Sequence, residues 1–264
     1  MKTKEVKVVW ITGASSGIGE ALTYELNSKG YKLIISSRNL KDLQQVKKRC
    51  PNSNLISILP LDLKELDNMA KKVTEAMLHY GPIDILINNA GISQRSLIME
   101  TDLQVYQKLM DVNYMGTIAL TKAILPYFVS RKKGHFVTVT SLMGKFGSPY
   151  RSGYCGAKHA LHGFFDVLRM EHDKDNIKVS LVCPGFVDTN VAVNALTADG
   201  TPQVDNDLAT KNGLSPHVFA KKMVKAMEKE KFEVYIGRKE VVGIYLKRFF
   251  PKLLHKVVSR NKVR

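Results

Sequence analysis

The chain has 264 residues, 44% of them hydrophobic, and a formal net charge of +16. That size and apolar content suit one large α/β domain with a full core, since linker-like tracts and internal repeats are absent and each apolar run is broken before the ~18 residues that a membrane span needs. Cys50, Cys155 and Cys183 are too widely spaced for an obvious zinc site and suit a reducing compartment, and an apolar strand follows Met1–Glu5 too soon for a signal peptide, so a cytoplasmic protein is expected.

Val6–Ile11 is a β-branched run that ends in Thr12-Gly13-Ala14-Ser15-Ser16-Gly17-Ile18-Gly19, after which helical periodicity begins at Ala21, Leu22 and Leu26. Strand, glycine turn and helix form a phosphate-binding arrangement. Gly13 permits the turn, Gly17 admits a pyrophosphate near the backbone, Gly19 lets helix and strand touch, and the helix N-terminus offers N–H groups to the anion. An ordinary βα turn would need fewer glycines. Leu33–Ser37 is the second strand; a carboxylate expected there for an NAD ribose is replaced by Ser37, with Arg38 next. A hydroxyl and a guanidinium can bind a 2′-phosphate that a carboxylate would repel, so NADP(H) is favoured and NAD(H) stays possible.

Leu55–Leu63 is the third strand and its exit. Asp62 and Leu63 stand where an adenine would lie, and Asp62 can also cap a helix expected from about Lys64 to Tyr80. Ile83–Ile87 is the fourth strand, and it opens into Asn88-Asn89-Ala90-Gly91, whose small and amide side chains leave room for a flat ribose or nicotinamide; Ser93-Gln94-Arg95-Ser96 follows as a polar loop near the mouth. From Leu103 to Arg131 two helices are expected to meet near Asp111–Asn113. Asn113 is a poor helix former in an apolar pattern, so it serves structure or holds a water.

The fifth strand, Gly134–Ser141, delivers Ser141 to the carboxyl edge of the sheet, where ligands bind in such folds. The next helix carries Tyr154 and Lys158, four apart and therefore neighbours on one face. A fixed ammonium beside a phenol lowers its pKa from ~10, which would let Tyr154 trade protons with a substrate oxygen. His159 and His162 share this helix without a third ligand in sight, so packing or surface roles are expected. Lys178–Cys183 is the sixth strand, and Pro184, Gly185, Val187 and Thr189 after it form a second wall around the cofactor. Residues 190–214 read as a mobile lid, Pro216–Lys229 as a helix and Val234–Ile236 as the last strand.

From Arg238 to Arg264 there are nine lysines and arginines against one acid, half of the charge excess. Leu253, Leu254, Val257 and Val258 share a helical face opposite Lys252, Lys256 and Arg260. Such a segment can pack on the domain or a second subunit, or lie on a membrane surface; nucleic acid is not expected.

Over residues 5 to 240 these motifs resemble the short-chain dehydrogenase/reductase family: the glycine turn, Asn88–Gly91, Ser141 with Tyr154 and Lys158, and Pro184-Gly185 occur in its order. Ile92–Ser96, Gly153–Cys155 and the hydrophobic basic tail are similar to a subgroup that includes the member 7 and 11β-hydroxysteroid dehydrogenase types. The resemblance implies a doubly wound Rossmann domain (1–240) of seven parallel strands, a C-terminal extension (241–264), and a homodimer or homotetramer. It also implies a tetrad of Asn113, Ser141, Tyr154 and Lys158. Tyr154 would be general acid or base, Lys158 would bind the nicotinamide ribose, Ser141 would bond the substrate oxygen, and Asn113 would hold a water linked to Lys158. The small-molecule substrate would be a hydrophobic carbonyl or secondary alcohol, with Phe146, Tyr150, Phe186, Val191 and Leu196 lining its pocket.

Overall fold

The computed structural model describes residues 6–205 and 208–260; the ends of the chain (1–5 and 261–264) and positions 206–207 of the expected lid lie outside the described residues. Seven strands are formed: β1 (Val8–Thr12), β2 (Lys32–Ser36), β3 (Ile56–Ile58), β4 (Ile85–Asn88), β5 (Gly134–Val139), β6 (Ile177–Pro184) and β7 (Glu233–Ile236). All pair in parallel, in the order β3-β2-β1-β4-β5-β6-β7. Strands covered on both faces must be apolar throughout, and β1 is buried at all five positions. Its side chains alternate: Val9 and Ile11 enter one core layer, Val8 and Trp10 the other.

The helices are α1 (Gly17–Ser28), α2 (Leu40–Arg49), α3 (Met69–Tyr80), α4 (Leu103–Met110), α5 (Gly116–Arg131), α6 (Ser152–Glu171), α7 (Leu208–Lys211), α8 (Pro216–Glu228), α9 (Val242–Phe249) and α10 (Pro251–Arg260). Leu22 and Leu26 of α1, Leu43 of α2 and Phe219 of α8 pack on one face of the sheet. Val73 of α3, Ile124 and Phe128 of α5 and Phe165 of α6 pack on the other. Phe128 and Phe136 meet at a tilt of 48° with centroids 4.9 Å apart, a contact worth ~1 kcal/mol beyond its area. Strand order reverses between β2-β1 and β4, so the crevice at their carboxyl ends faces ligand. No described helix is long and apolar enough to cross a membrane.

Two local expectations are corrected, and two segments gain detail. Helix α3 begins at Met69 rather than near Lys64, because Asp62 Oδ1 accepts the Lys64 N–H at 3.0 Å and holds the chain in a turn. Helices α4 and α5 meet at Asp111–Met115, as expected, and the junction is a single π turn. Within the stretch expected as a lid, Leu196 exchanges hydrogen bonds with Ser93 and Arg95, and it is buried with Val105 and Leu109. Finally, the predicted face of α10 is split. Leu254 (6% exposed) packs with Leu142, Phe146 and Cys183, whereas Leu253 is 49% exposed.

Candidate active site

The glycine turn joins β1 to α1 with Gly13 at φ +65° and Gly17 at φ +57°, values that favour glycine. A Cβ on Gly19 would collide with the Gly13 carbonyl and lie 2.6 Å from Asn89 Nδ2, so helix and turn touch only through hydrogen. Ser16, the N-cap of α1, makes no side-chain capping bond. The first N–H groups of α1 therefore point to the crevice as an anion site. Ser15 and Ile18 flank them, and Thr189, on the segment after β6, faces Gly17: a Cβ there would meet Thr189 Cγ2 at 3.0 Å.

Hydrogen bonds fix the strand exits around this turn. Ala14 N–H donates to Ser36 O at 3.0 Å, which sets Ser37 and the exposed Arg38 beside the glycines. Leu61 N–H donates to Ser37 O, bringing Asp62 and Leu63 to the same edge. Thr12 Oγ1 accepts from both Asn89 N–H and Ala90 N–H, and Asn89 Nδ2 donates to the carbonyls of Thr12 and Gly13. Asn88 reaches the other way, to Thr121 Oγ1 at 3.2 Å. Gly185 N–H donates to Ile236 O, and Val187 is buried behind it. These residues bring backbone donors and small side chains together at the switch point, where open sheets of this kind bind their ligands.

The tetrad positions converge at its end. Asn113 lies in the π turn, fully buried; its amide donates to Ile92 O at 2.9 Å and accepts Ile92 N–H at 2.8 Å. Sequence reasoning left structure and water-holding open, and these two bonds give the side chain a structural role. Ser141 follows β5, its Oγ accepting Met143 N–H at 3.0 Å, and it faces the same cavity as Tyr154. Lys158 Nζ is buried, donates to Val139 O at 3.0 Å and lies 5.7 Å from the Tyr154 ring centroid. Burial holds the Tyr154 phenol above its ordinary pKa; the Ser141 hydroxyl, then Arg151 and Arg95, pull it back. This differs from the expected Lys158-driven drop. Burial lowers Lys158 itself to about 8, which weakens the ammonium that was to act on the phenol.

Tyr154 and Ser141 open into a cavity of about 790 Å³. Phe146, Phe186 and Val191 line it as expected, but Tyr150 and Leu196 do not; Leu196 is turned into the α4 contact. In their place α9 and α10 contribute Val242, Leu246, Leu254 and Val258, so the C-terminal extension is a wall of the site.

Several site residues were missed from sequence. Gln94, fully buried, accepts the N–H groups of Gly153 (2.8 Å) and Tyr154 (3.3 Å) and so caps α6 from another loop. Glu240 Oε1 accepts Phe186 N–H at 3.0 Å and props the turn after β6. Arg95 and Arg151 are buried in the cavity wall. His162, given no partner from spacing, meets Cys183 and Glu233, their ligand-type atoms within 4.8 Å of one another. Lys145 Nζ already lies 2.8 Å from Glu233 Oε2 there, so this cluster carries its own cation. Only Gln94 and Arg95 left a trace, as an unusually polar loop after β4.

The short chain dehydrogenase family model matches residues 7–199. The chain is 41% identical over 251 residues to human "Dehydrogenase/reductase SDR family member 7", covering 92% of this chain and 74% of that protein. It is 37% identical over 258 residues to mouse "Dehydrogenase/reductase SDR family member 7B", covering 96% and 80%. A solved short chain dehydrogenase/reductase from Burkholderia phymatum, in complex with NAD, superposes with a TM-score of 0.83 at 21% identity, covering 96% of each chain. With a glycine turn, strand order and tetrad in the positions described, the chain belongs to the short-chain dehydrogenase/reductase family of oxidoreductases.

Proposed function

We propose that the protein interconverts a hydrophobic carbonyl compound and its secondary alcohol with NADP(H). The observation that carries this reading is that Ser141 and Tyr154 line one cavity, with the Lys158 ammonium 5.7 Å from the Tyr154 ring. A bound nicotinamide supplies or accepts the hydride. In reduction Tyr154 donates its proton to the carbonyl oxygen, and in oxidation it removes the alcohol proton. Ser141 hydrogen-bonds that oxygen as charge develops on it. A phenol held high by burial keeps its proton near neutral pH, which suits the acid role. Lys158 orients a ribose hydroxyl and relays protons. Because the Asn113 amide is committed to Ile92, holding a water on this relay falls to its main-chain carbonyl, which also accepts Thr117 Oγ1.

Tyr154→Phe tests the mechanism: carbonyl reduction should fall about 10²–10⁴-fold, the usual worth of general acid–base catalysis, with dinucleotide binding kept. Turnover within a few-fold of the parent would refute it. Ser37 and Arg38 support NADP(H), and the phosphate should make NADPH bind at least about tenfold tighter than NADH, a gap of ~1.4 kcal/mol. Arg38→Ala should erase that ratio in a fluorescence titration through Trp10; an unchanged ratio removes Arg38 from the assignment and leaves NAD(H) open.

The exposed apolar residues Met115, Tyr127 and Met170 on or beside α5 and α6 support pairing with a second copy, as dimer or tetramer, which sedimentation reads directly. Tyr245, Phe249, Phe250 and Leu253 are exposed among Lys247, Arg248, Lys252 and Lys256, which supports peripheral contact of α9–α10 with an anionic membrane, read by vesicle co-sedimentation.

A further inference from the structure

Residues 184–189 run the length of the site. Pro184, Gly185, Phe186 and Val187 line the cavity beside Ser141 and Tyr154, and Thr189 faces Gly17 of the glycine turn. A dinucleotide with its pyrophosphate on that turn and its ring toward Tyr154 therefore has this segment along one side. Past Pro184 the segment is neither helix nor strand, so its course depends on what holds it. Gly185 N–H donates to Ile236 O, Leu214 N–H to Phe186 O and Asp188 N–H to Leu214 O, each at 2.9 Å. Such main-chain bonds are open to almost any sequence, because every residue but proline carries the same donor and acceptor. The Phe186 N–H is held differently: it donates to Glu240 Oε1 at 3.0 Å, and that bond depends on one side chain.

Two glycines make room for the carboxylate. A Cβ on Gly185 would collide with Glu240 Oε1, and one on Gly237 would lie 2.8 Å from it. Neither glycine has a positive φ, so both serve here by lacking a side chain. Glu240 also sits in the helical turn Lys239–Val241, which leads straight into α9. Helix α9 bounds the substrate space from the other side: Val242 and Leu246 line the cavity, and a Cβ on Gly243 would lie 2.7 Å from Phe146 Cζ. One residue thus joins the segment beside the dinucleotide to the helix beside the substrate. Reacting atoms have to be held about 3–3.5 Å apart for transfer, so the placing of that segment matters to the reaction.

We propose that Glu240 is a positioning residue for the nicotinamide. Its carboxylate holds the Phe186 N–H, and with it residues 184–189, where the ring is seated against the substrate. It acts through the Phe186 main chain and exchanges no proton or hydride, so the redox balance is that of the reaction above. The adenosine end is held by other elements, the glycine turn and the exit of β2, and keeps its affinity without Glu240. This rests on the reading that the protein uses a nicotinamide dinucleotide.

The test is calorimetric titration of the full chain with NADPH and with 2′-phospho-ADP-ribose, the same dinucleotide without its nicotinamide ring, a readout that needs no turnover. If the parent prefers NADH, then NADH and ADP-ribose take their place. Glu240→Met removes the acceptor at similar volume and should weaken NADPH about tenfold, while the ringless ligand stays within about twofold of the parent. Glu240→Gln keeps an acceptor oxygen and should bind NADPH within about threefold of the parent. Gly237→Ala lies outside the cavity lining and drives the carboxylate off Phe186 from behind. It should show the same selective loss, and it is read in place of Glu240→Met if circular dichroism melting shows that variant unfolded. Unchanged NADPH affinity in the variant that is read overturns the proposal. So does an equal loss for both ligands, which a merely structural role would give, and so does a glutamine variant as weak as the methionine one. A parent that binds the ringless ligand as tightly as NADPH overturns it as well, because the ring then has no seat to hold. A parent that binds neither dinucleotide sinks the oxidoreductase reading and the proposal with it; a parent that binds NADPH, with variants that depart from these outcomes, sinks the Glu240 assignment alone.

Discussion

Gln94 ties the position of Tyr154 to a loop sixty residues earlier, and Gln94→Met isolates that tie. Methionine keeps the length and buried volume of the side chain and removes its polar end. Two N–H groups in the first turn of α6 lose their acceptor, one at 2.8 Å and one at a weaker 3.3 Å. A buried donor left without a partner costs ~1–3 kcal/mol, so counting the second bond at half weight gives about 2–4 kcal/mol. For a chain of this size each kcal/mol moves Tm by ~2–4 °C, and the expected loss is roughly 5–15 °C. Because Ser152, Gly153 and Tyr154 shift together, kcat should fall more than cofactor affinity. Gln94→Glu keeps two acceptor oxygens at a helix N-terminus, where negative charge is favourable, and should lie close to the parent. The assay is thermal melting beside steady-state reduction with NADPH. A Tm loss below about 1 °C with kcat unchanged would refute the capping argument, since it falls under the smallest cost of one orphaned donor.

His135 is buried against Ser180 Oγ at 2.9 Å, and burial, then the charges of Lys7 and Lys178, lowers its pKa to about 4. The unfolded chain takes up that proton near ~6.5 and the folded chain does not, so stability should drop by ~1.4 kcal/mol per unit as pH falls through this window. His162, lowered to about 4 chiefly by burial, adds to the same slope. His135→Gln should remove about one proton from the pH dependence of the urea midpoint; an unaltered slope would refute the assignment. Asp84 behaves in the opposite chemical sense. Burial pushes its pKa up, but the Val8 N–H bond and the Lys133 and Arg131 charges more than offset this and hold it below the ordinary value. Its contribution is present above the unfolded value of ~3.9 and is lost as pH falls through the folded one. Asp84→Asn should cost about 1–2 kcal/mol at pH 7, with the partly exposed cations discounted for screening, and the gap from the parent should close in strong acid. A gap that does not change with pH would mean that the charge has no part in it.

The order of elements was legible because its signals are local. β-Branched runs, glycine turns and helical periodicity mark seven strands and their crossovers within a few residues, and parallel strands covered on both faces have to be continuously apolar. The glycine turn and the i, i+4 pair Tyr154 and Lys158 could be read for the same reason: their geometry is set by backbone conformation over a few residues. Boundaries failed where a side chain captured a backbone N–H, as Asp62 does with Lys64, because such bonds compete with helix and leave no periodicity.

The acidity of the site was not legible. Adjacent Tyr154 and Lys158 imply a lowered phenol, yet both groups are buried, and desolvation raises the one and lowers the other. Nor could spacing show that Gln94 caps α6, that Glu240 braces the turn after β6, or that α9 and α10 wall the cavity. These contacts join residues from 54 positions apart, Phe186 and Glu240, to 112, Leu142 and Leu254. Sequence by itself determined the class of fold and the placing of Tyr154 and Lys158 on one helix face, both encoded by short-range backbone geometry. The tertiary structure alone decided what surrounds those atoms, two guanidiniums at one end and apolar helices at the other, because burial and long-range packing exist only once the chain has closed on itself.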